Sequence, residues 1–470
     1  MNLINLGNIE GRIHFIGIGG IGMSALAIIL HHLGFKISGS DISYNTNIKK
    51  LEDLGIKCFT SQTLNNVSDD ISLVVKTSII YNDNPEIIES KKRGIAIIKR
   101  SDMLAMILSG KKSITIAGTH GKTTTTTMVS EIFEEAGLDP TVINGGIINR
   151  FNSNGKFGKG VYIIAEGDES DASFVDLPTL IGLVTNIEAD HMDFYKGDHK
   201  KYKSYFKKYI DQIPKYGLAV LNIDDKNIKN IYNLIPDKSN IITYSIDAES
   251  DVIVKNIEQD INGCKFDIIA KDYQINDIFA NFYGLHNISN AAGAIAIAKF
   301  AEIDTLIIKD ALKTYQGVQR RFTKVGEYRG VIIIDDYAHH PTEVSATLEA
   351  ARQIVGDKNK IVTIFQPHKY SRTFDFLDEF ANCFKISDIL IIDNIHSIAG
   401  ERTDLVSQDI LIDKIKEAGQ TTVLKLENKR DLAKITKKYI SAGDLILCSG
   451  AGTITDMARN LEKELKDLDG

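Results

Sequence analysis

Short apolar runs recur along the chain, and most of them end at glycines or at polar side chains. Runs with the length of buried strands lie at 36–40, 73–76, 95–98, 114–117, 161–165, 180–184, 331–334, 360–365, 389–392 and 444–448. Segments between them, such as 47–54 and 85–92, have the apolar spacing of helices. Strands that alternate with helices are typical of parallel sheets, so the pattern predicts an α/β fold.

The length of the chain and the order of its strands predict three domains. The 470 residues correspond to about three domains of ordinary size. One glycine-rich turn lies near the start, a second follows the run at 114–117, and a further set of strands begins after residue 319. We therefore expect domains at residues 1–107, 108–318 and 319–470.

Charge and cysteine usage narrow the class of protein. The net charge of −7 argues against a protein that binds nucleic acid by bulk electrostatics. The four cysteines show no C-x-x-C pairing and are typical of reduced thiols in the cytoplasm. The stretch 13–35 lacks charged residues and resembles a signal peptide or membrane span, but glycines and two histidines interrupt it. We expect a buried strand, turn and helix there, and no membrane insertion.

A glycine turn gives the clearest chemical signal. The residues that follow the apolar run at 114–117 are Gly118, Thr119, His120, Gly121, Lys122, Thr123 and Thr124. The glycines let backbone N–H groups converge on a phosphate, Lys122 adds a positive charge and Thr123 offers a hydroxyl to Mg²⁺. The spacing between the glycines is shorter than in the common phosphate loop. The turn predicts a nucleotide site, and a chance β-turn before a helix is the alternative.

A second glycine turn lies near the N-terminus. Gly17, Gly19 and Gly22 follow a predicted strand and open a helix, and Asp41 ends the next predicted strand. Such a fingerprint places a pyrophosphate at the helix N-terminus and a carboxylate near a ribose hydroxyl. It fits a nicotinamide cofactor or any nucleotide diphosphate, and glycines that only permit close helix packing are a further interpretation.

Polar clusters follow the strands of the predicted central domain. Glu166 follows the run at 161–165, and His191 lies in the segment after the run at 180–184. Carboxyl ends of parallel strands meet at one edge of a sheet, so both side chains are candidates to share a metal with Thr123. Further along, Asn287 and Asn290 open a helix where their amides would either bind an adenine or cap the helix.

Taken together, the motifs resemble those of the Mur ligases. The similarity rests on residues 118–124, on 186–193, on His286 with Asn287 and Asn290, and on 335–341. It implies an N-terminal Rossmann-like UDP-binding domain, a central P-loop ATPase-like domain and a C-terminal Rossmann-like domain that carries the amino acid. The glycine turn with Gly20, Met23 and Ser24 resembles the alanine-adding branch of the family.

The resemblance implies a reaction and a role for each motif. ATP would phosphorylate the carboxylate of UDP-N-acetylmuramate, and the amine of L-alanine would then displace phosphate. Lys122 and Arg321 would be the catalytic cations, while Thr123, Glu166 and His191 would hold Mg²⁺. Asn287, Asn290 and Asp336 would lie around the adenosine.

On the substrate side, the N-terminal glycine turn with Met23, Ser24 and Asp41 would bind the UDP-sugar. The alanine pocket would be formed by Tyr337, His339, Lys369 and Arg372. Lys369 stands where an arginine is usual and cannot make the paired hydrogen bonds of a guanidinium. Phe206 stands where related ligases for later amino acids carry a carbamylated lysine. We expect a monomer or weak homodimer.

Three other functions remain open at this stage. A recycling ligase would add a preformed peptide to the same sugar. A nicotinamide-dependent dehydrogenase would use only the first glycine turn and would leave the second unexplained. A nucleotide-gated binding module would bind ATP without turnover.

Overall fold

The structure is a computed structural model that describes residues 6–190, 192–260, 262–397, 401–420 and 422–469. The chain forms two compact units. One comprises Met1–Asn256, Phe266–Ala280 and Ser289–Gln316, and the other comprises Ile257–Lys265, Asn281–Ile288 and Gly317–Gly470. Three sheets account for the strands of the described residues.

The first sheet is parallel and has the strand order β3-β2-β1-β4-β5. Its elements are β1 (Arg12–Ile16), α1 (Ile21–His32), β2 (Ile37–Ser40), α2 (Thr46–Asp53), β3 (Lys57–Phe59), β4 (Ile71–Lys76), α3 (Pro85–Lys92), β5 (Ala96–Lys99) and α4 (Arg100–Leu108). Parallel strands linked by helices are a Rossmann-like arrangement.

The uncharged stretch at 13–35 forms β1 and α1, as the sequence predicts. Residues 23–30 of α1 are all buried. A Cβ atom on Gly155, in the next sheet, would lie 3.0 Å from the Cα atom of Ala25. The helix is apolar because protein packs around it, and no helix of the described residues is long and apolar enough to cross a membrane.

The second sheet has the strand order β15-β14-β13-β12-β11-β10-β6-β9-β7-β8. Its elements are β6 (Lys112–Ala117), α5 (Lys122–Glu135), β7 (Thr141–Ile148), β8 (Ser153–Lys156), β9 (Tyr162–Glu166), β10 (Ile181–Val184), α6 (Met192–Tyr195), α7 (His199–Asp211), β11 (Leu218–Asn222), α8 (Lys226–Leu234), β12 (Ile241–Ser245), β13 (Val252–Asp260), β14 (Gly263–Ala270), β15 (Gln274–Ala280), α9 (Leu285–Phe300) and α10 (Thr305–Lys313). β6 lies between β9 and β10 and is parallel to both, so the ends of these three strands meet at one edge.

The third sheet has the strand order β16-β17-β21-β18-β19-β20, and only β16 runs antiparallel to its neighbour. Its elements are β16 (Thr323–Tyr328), β17 (Val331–Asp336), α11 (Pro341–Val355), β18 (Ile361–Phe365), α12 (Tyr370–Asp375), α13 (Leu377–Cys383), β19 (Ile389–Ile392), α14 (Gln408–Glu417), β20 (Val423–Lys425), α15 (Leu432–Thr436), β21 (Leu445–Ser449) and α16 (Ile454–Asp467). The predicted α/β class is confirmed.

Candidate active site

The glycine turn at 118–121 joins β6 to α5. Gly118 has a φ of +137° and Gly121 has a φ of +81°, values that favour glycine. A Cβ atom on Gly118 would lie 2.0 Å from Oγ1 of Thr185, so a larger residue does not fit. Gly121 is the N-cap of α5, and the first N–H groups of that helix are therefore available for an anion.

The segment after β10 holds this turn in place. The backbone N–H of Thr119 donates to the carbonyl oxygen of Asn186 at 3.0 Å. The backbone N–H of His120 donates to Oδ1 of Asn186 at 2.9 Å. The carbonyl oxygen of His120 accepts from Nδ2 of Asn186 at 2.9 Å and from the Thr185 hydroxyl at 2.7 Å. A neighbouring strand end therefore fixes the shape of the turn.

Side chains of the turn contact the same segment. Oγ1 of Thr119 donates to the Glu188 carbonyl oxygen at 3.1 Å and lies 3.0 Å from the Tyr202 hydroxyl. Nε2 of His120 lies 3.3 Å from Oε2 of Glu188. His191 lies outside the described residues, so its roles as catalytic residue and metal ligand stay predictions.

Lys122 folds back over the turn that precedes it. Its Nζ donates to the carbonyl oxygens of Gly118 at 2.7 Å and of Thr119 at 2.9 Å, and it lies 2.8 Å from Oε2 of Glu169. Burial lowers the pKa of the Lys122 ammonium, but nearby carboxylates, Glu169 first and then Glu166 and Asp168, outweigh it, and the net pKa is raised. Lys122 is therefore a charged group at this site.

Thr123 and Glu166 bring oxygen donors together between α5 and β9. The Thr123 hydroxyl donates to Oε2 of Glu166 at 3.2 Å. Oε1 of Glu166 accepts from the backbone N–H of Gly145 at 2.7 Å, which fixes the carboxylate. A hydroxyl and a carboxylate are the hard oxygen ligands that suit Mg²⁺. Thr124, the next residue of α5, is half-buried.

The turn after β9 carries further carboxylates. Oδ2 of Asp168 lies 2.6 Å from Nη2 of Arg100, at the start of α4, and Oδ1 accepts from the Ser170 hydroxyl at 2.6 Å. Burial raises the pKa of the Asp168 carboxyl, but the charge of Arg100 and the Ser170 hydrogen bonds outweigh it and lower the pKa overall. Asp168 therefore ties this turn to the first sheet's last helix.

The N-terminal glycine turn joins β1 to α1. Gly17 has a φ of +86°, and its backbone N–H donates to the Ser40 carbonyl oxygen at 2.8 Å. The Asp41 carboxylate accepts from the backbone N–H of Gly19 at 2.9 Å, so Asp41 holds the turn itself. A Cβ atom on Gly19 would lie 2.8 Å from Nδ2 of Asn45. These contacts tie the turn to the end of β2.

The remaining residues of this turn divide by exposure. Gly20 is exposed and Gly22 is half-buried, whereas Met23 and Ser24 are buried. The Ser24 hydroxyl accepts from Nδ2 of Asn154, on β8, at 2.9 Å. Gly20 and Gly22 are thus accessible to a ligand, while Ser24 packs towards the second sheet.

The two asparagines of α9 have different surroundings. Nδ2 of Asn287 donates to the Tyr283 carbonyl oxygen at 2.8 Å. Asn290 is buried, and a Cβ atom on Gly121 would lie 2.7 Å from its Oδ1. Asn290 therefore lies directly beside the start of α5.

In the C-terminal unit, Asp336 organises the end of β17. Oδ2 accepts from the backbone N–H of Phe322 at 2.6 Å, and Oδ1 accepts from that of Ala338 at 2.7 Å. Burial raises the pKa of Asp336 to about 6, against the effect of the Arg321 charge. The Arg321 guanidinium lies 5.3 Å from the ring centre of Tyr337, so these three predicted residues are neighbours.

The predicted alanine pocket draws on β17 and β18. Nδ1 of His339 lies 2.9 Å from the Tyr337 carbonyl oxygen. Burial lowers the pKa of His339 to about 4, and Arg372 adds to this shift while Glu343 opposes it. Arg372 is buried, and Lys369, with a φ of +70°, is the N-cap of α12.

The sequence analysis gave no individual role to several residues of the site. They are Arg100, Asn154, Asp168, Glu169, Thr185 and Asn186. Asp168 and Glu169 follow the same strand as Glu166, and Thr185 and Asn186 follow β10, so their place at strand ends was a usable signal. No comparable pattern marks Arg100 or Asn154.

Three family models match consecutive parts of the chain. The Mur ligase family catalytic domain matches residues 12–112, the Mur ligase middle domain matches 116–298, and the Mur ligase glutamate ligase domain matches 320–452.

Curated relatives match over almost the whole chain. One from Rhodospirillum rubrum is 39% identical over 466 residues, which is 98% of this chain and 96% of the relative. One from Rickettsia typhi is 42% identical over 464 residues, which is 97% of this chain and 93% of the relative. Both are named UDP-N-acetylmuramate--L-alanine ligase.

Solved structures share the fold. The UDP-N-acetylmuramate-alanine ligase MurC from Thermotoga maritima has a TM-score of 0.83 at 27% identity and covers 98% of this chain and 100% of its own. A murein peptide ligase from Psychrobacter arcticus has a TM-score of 0.69 at 24% identity, with 97% and 99% covered.

Proposed function

The chain belongs to the Mur ligase family, and we propose that it uses ATP to join L-alanine to the carboxylate of UDP-N-acetylmuramate. The observation that carries the proposal lies at one edge of the second sheet, where Thr123 bonds Glu166 and Lys122 pairs with Glu169. The names of the nearly full-length relatives support the choice of substrates.

The reaction has two bond-making steps. A carboxylate oxygen of the sugar attacks the γ-phosphorus of ATP, and ADP leaves with the electrons of the broken P–O bond. The amine nitrogen of L-alanine then attacks the carbonyl carbon of the acyl phosphate, loses a proton, and phosphate leaves. Because negative charge gathers on phosphoryl and carboxyl oxygens, cations and N–H donors should supply most of the catalysis.

Residues of the central motif would act on the phosphoryl group. Lys122 and the N–H groups at the start of α5 would bind the transferred phosphoryl group, and Arg321 is the proposed second cation. Thr123, Glu166 and His191 would hold Mg²⁺, which neutralises phosphate charge when it is bound. Glu166 is suited to this because Gly145 fixes its second oxygen.

The other predicted residues would bind the remaining groups. Gly17, Gly19, Gly20 and Gly22 would place the diphosphate of the UDP-sugar at the N-terminus of α1, held in shape by Asp41. Asn287, Asn290 and Asp336 would lie around the adenosine. Tyr337, His339, Lys369 and Arg372 would bind L-alanine, whose carboxylate a guanidinium can grip with two hydrogen bonds.

Other proposals follow from the same assignment. We propose domain boundaries at residues 107 and 318. We also propose that the protein is cytoplasmic and is a monomer or a weak homodimer. A dehydrogenase is not favoured, because the relatives that match nearly the whole chain are ligases.

The amine substrate distinguishes the proposed reaction from the recycling reaction, because the first uses L-alanine and the second uses a preformed peptide. We expect the purified protein to join L-alanine to UDP-N-acetylmuramate, detected by mass spectrometry of the product. A tripeptide that begins with L-alanine should be a far poorer acceptor at the same concentration. Equal or better use of the tripeptide would instead assign the recycling reaction.

A further inference from the structure

The ammonium group of Lys122 lies among three oxygen atoms of the protein. An ammonium has three N–H donors. Two carbonyl oxygens of the glycine turn accept from it, at 2.7 and 2.9 Å, and Oε2 of Glu169 lies 2.8 Å away. A phosphoryl group that binds Lys122 would therefore compete with these oxygens for the ammonium.

Glu169 is the charged member of this set and is deeply buried. Its side chain is 4% exposed, and that of Lys122 is 16% exposed. The main chain of Glu169 is also held in place, because the Tyr195 hydroxyl donates a hydrogen bond to the Glu169 carbonyl oxygen. A carboxylate this far from water depends on its counter-ion, since burial of a lone charge is costly.

Among the residues that the structure describes, the charged and titratable groups that face Glu169 come from three helices and from its own turn. Lys122 on α5 is the cation, and Asp168 on the same turn adds negative charge. Tyr195 on α6 and Tyr202 on α7 have raised pKa values, chiefly through burial and next through the charge of Glu169, so both stay neutral. Burial raises the pKa of Glu169 to about 7, although the nearby Lys122 ammonium opposes that shift.

We propose that Glu169 is a positioning residue that competes with the triphosphate for Lys122, and that it takes up a proton from solvent when Lys122 moves to the phosphate. The inference rests on the proposed function only for the binding of ATP at the 118–121 turn. Loss of the opposing ammonium raises the pKa of Glu169 further, because burial then acts on the carboxylate without a counter-ion. The buried carboxylate then becomes neutral instead of remaining as an unpaired charge.

Proton linkage tests this proposal. Uptake of a proton on binding makes affinity fall as pH rises, by up to about tenfold per pH unit for one proton. We would titrate the protein with the magnesium complex of a non-hydrolysable ATP analogue between pH 7 and 9. Calorimetry in two buffers of different ionisation enthalpy would count the protons.

We expect the wild type to take up a fraction of a proton when it binds the analogue. Glu169→Gln should take up no proton, and its affinity for the analogue should not depend on pH. Asp176→Asn, which removes an exposed carboxylate outside the site, should keep both the proton uptake and the pH dependence. Equal proton uptake in Glu169→Gln and the wild type would overturn the proposal. If Glu169→Gln does not fold, the wild type alone tests the proposal. An affinity of the wild type for the ATP analogue that does not change with pH would also overturn the proposal. Ligation of L-alanine is measured in a separate assay. A protein that binds the ATP analogue but does not ligate L-alanine would therefore contradict the proposed function and not the proton uptake.

Discussion

The hydroxyl of Thr123 donates a 3.2 Å hydrogen bond to Oε2 of Glu166, across 43 residues of chain. Thr123 lies in the first turn of α5, and Glu166 is the last residue of β9. Because Gly145 holds the other carboxylate oxygen, the Thr123 and Glu166 oxygens face one another in a fixed arrangement. The pair therefore holds two oxygen donors of the proposed metal site close together.

Thr123→Ala and Glu166→Gln should each lower the rate of ligation by ~10²-fold or more, because each removes an oxygen donor from the proposed metal site. Thr123→Ser keeps the hydroxyl and should retain most of the activity. The measurement is the initial rate at saturating ATP across a range of Mg²⁺ concentrations. An Ala variant as active as the Ser variant would rule out a role for the Thr123 hydroxyl.

Gly118→Ala should destabilise the protein by about 3 kcal/mol and abolish nucleotide binding, because its Cβ would overlap the Thr185 hydroxyl that holds the turn. Gly137, with a φ of +68° and no atom within 4 Å of a built Cβ, is the matched control. Gly137→Ala should cost only about 1 kcal/mol and should bind nucleotide normally. Thermal unfolding and nucleotide titration of both variants check this, and similar losses in the two would contradict it.

Glu131→Gln should stabilise the protein at pH 8 and have little effect at pH 5. Glu131 on α5 is 1% exposed, and burial raises its pKa from 4.5 to about 7. The folded state therefore favours the protonated form, and this stabilisation is complete below pH 4.5 and lost as pH rises through 7. The gain at pH 8 should be at most ~3 kcal/mol.

Chemical denaturation at the two pH values measures this difference. Glu135→Gln, on the same helix but partly exposed, is the control and should not gain stability at pH 8. A Glu131→Gln variant that is less stable than the wild type at pH 8 would contradict a raised pKa for Glu131 in the folded protein.

Local sequence patterns predicted the groups that lie next to a turn or at a strand end. The glycine spacing placed Lys122 and Thr123 at the start of a helix, and the apolar run before Glu166 placed it at the end of a strand. These predictions needed only the periods of strand and helix and the parallel direction of neighbouring strands.

Sequence patterns could not predict hydrogen bonds and ion pairs between segments that lie far apart in the sequence. The Asp168 ion pair with Arg100 depends on the turn after β9 and on the packing of α4. Ser24 was predicted among the substrate ligands, but its hydroxyl bonds Asn154, which only the packing of α1 against β8 reveals. Asp41 was predicted near a ribose, and its carboxylate binds the Gly19 amide, because the turn curls back to β2.

Release of phosphate from ATP, with one reactant omitted at a time, tests the proposed reaction most directly. Because the acyl phosphate forms on the sugar and the amine displaces it, sustained release should require ATP, Mg²⁺, UDP-N-acetylmuramate and L-alanine together. We predict one phosphate for each L-alanine joined to the sugar, and only background release when any one of the four is left out. Sustained release at the full rate without L-alanine or without the UDP-sugar would contradict the proposed function.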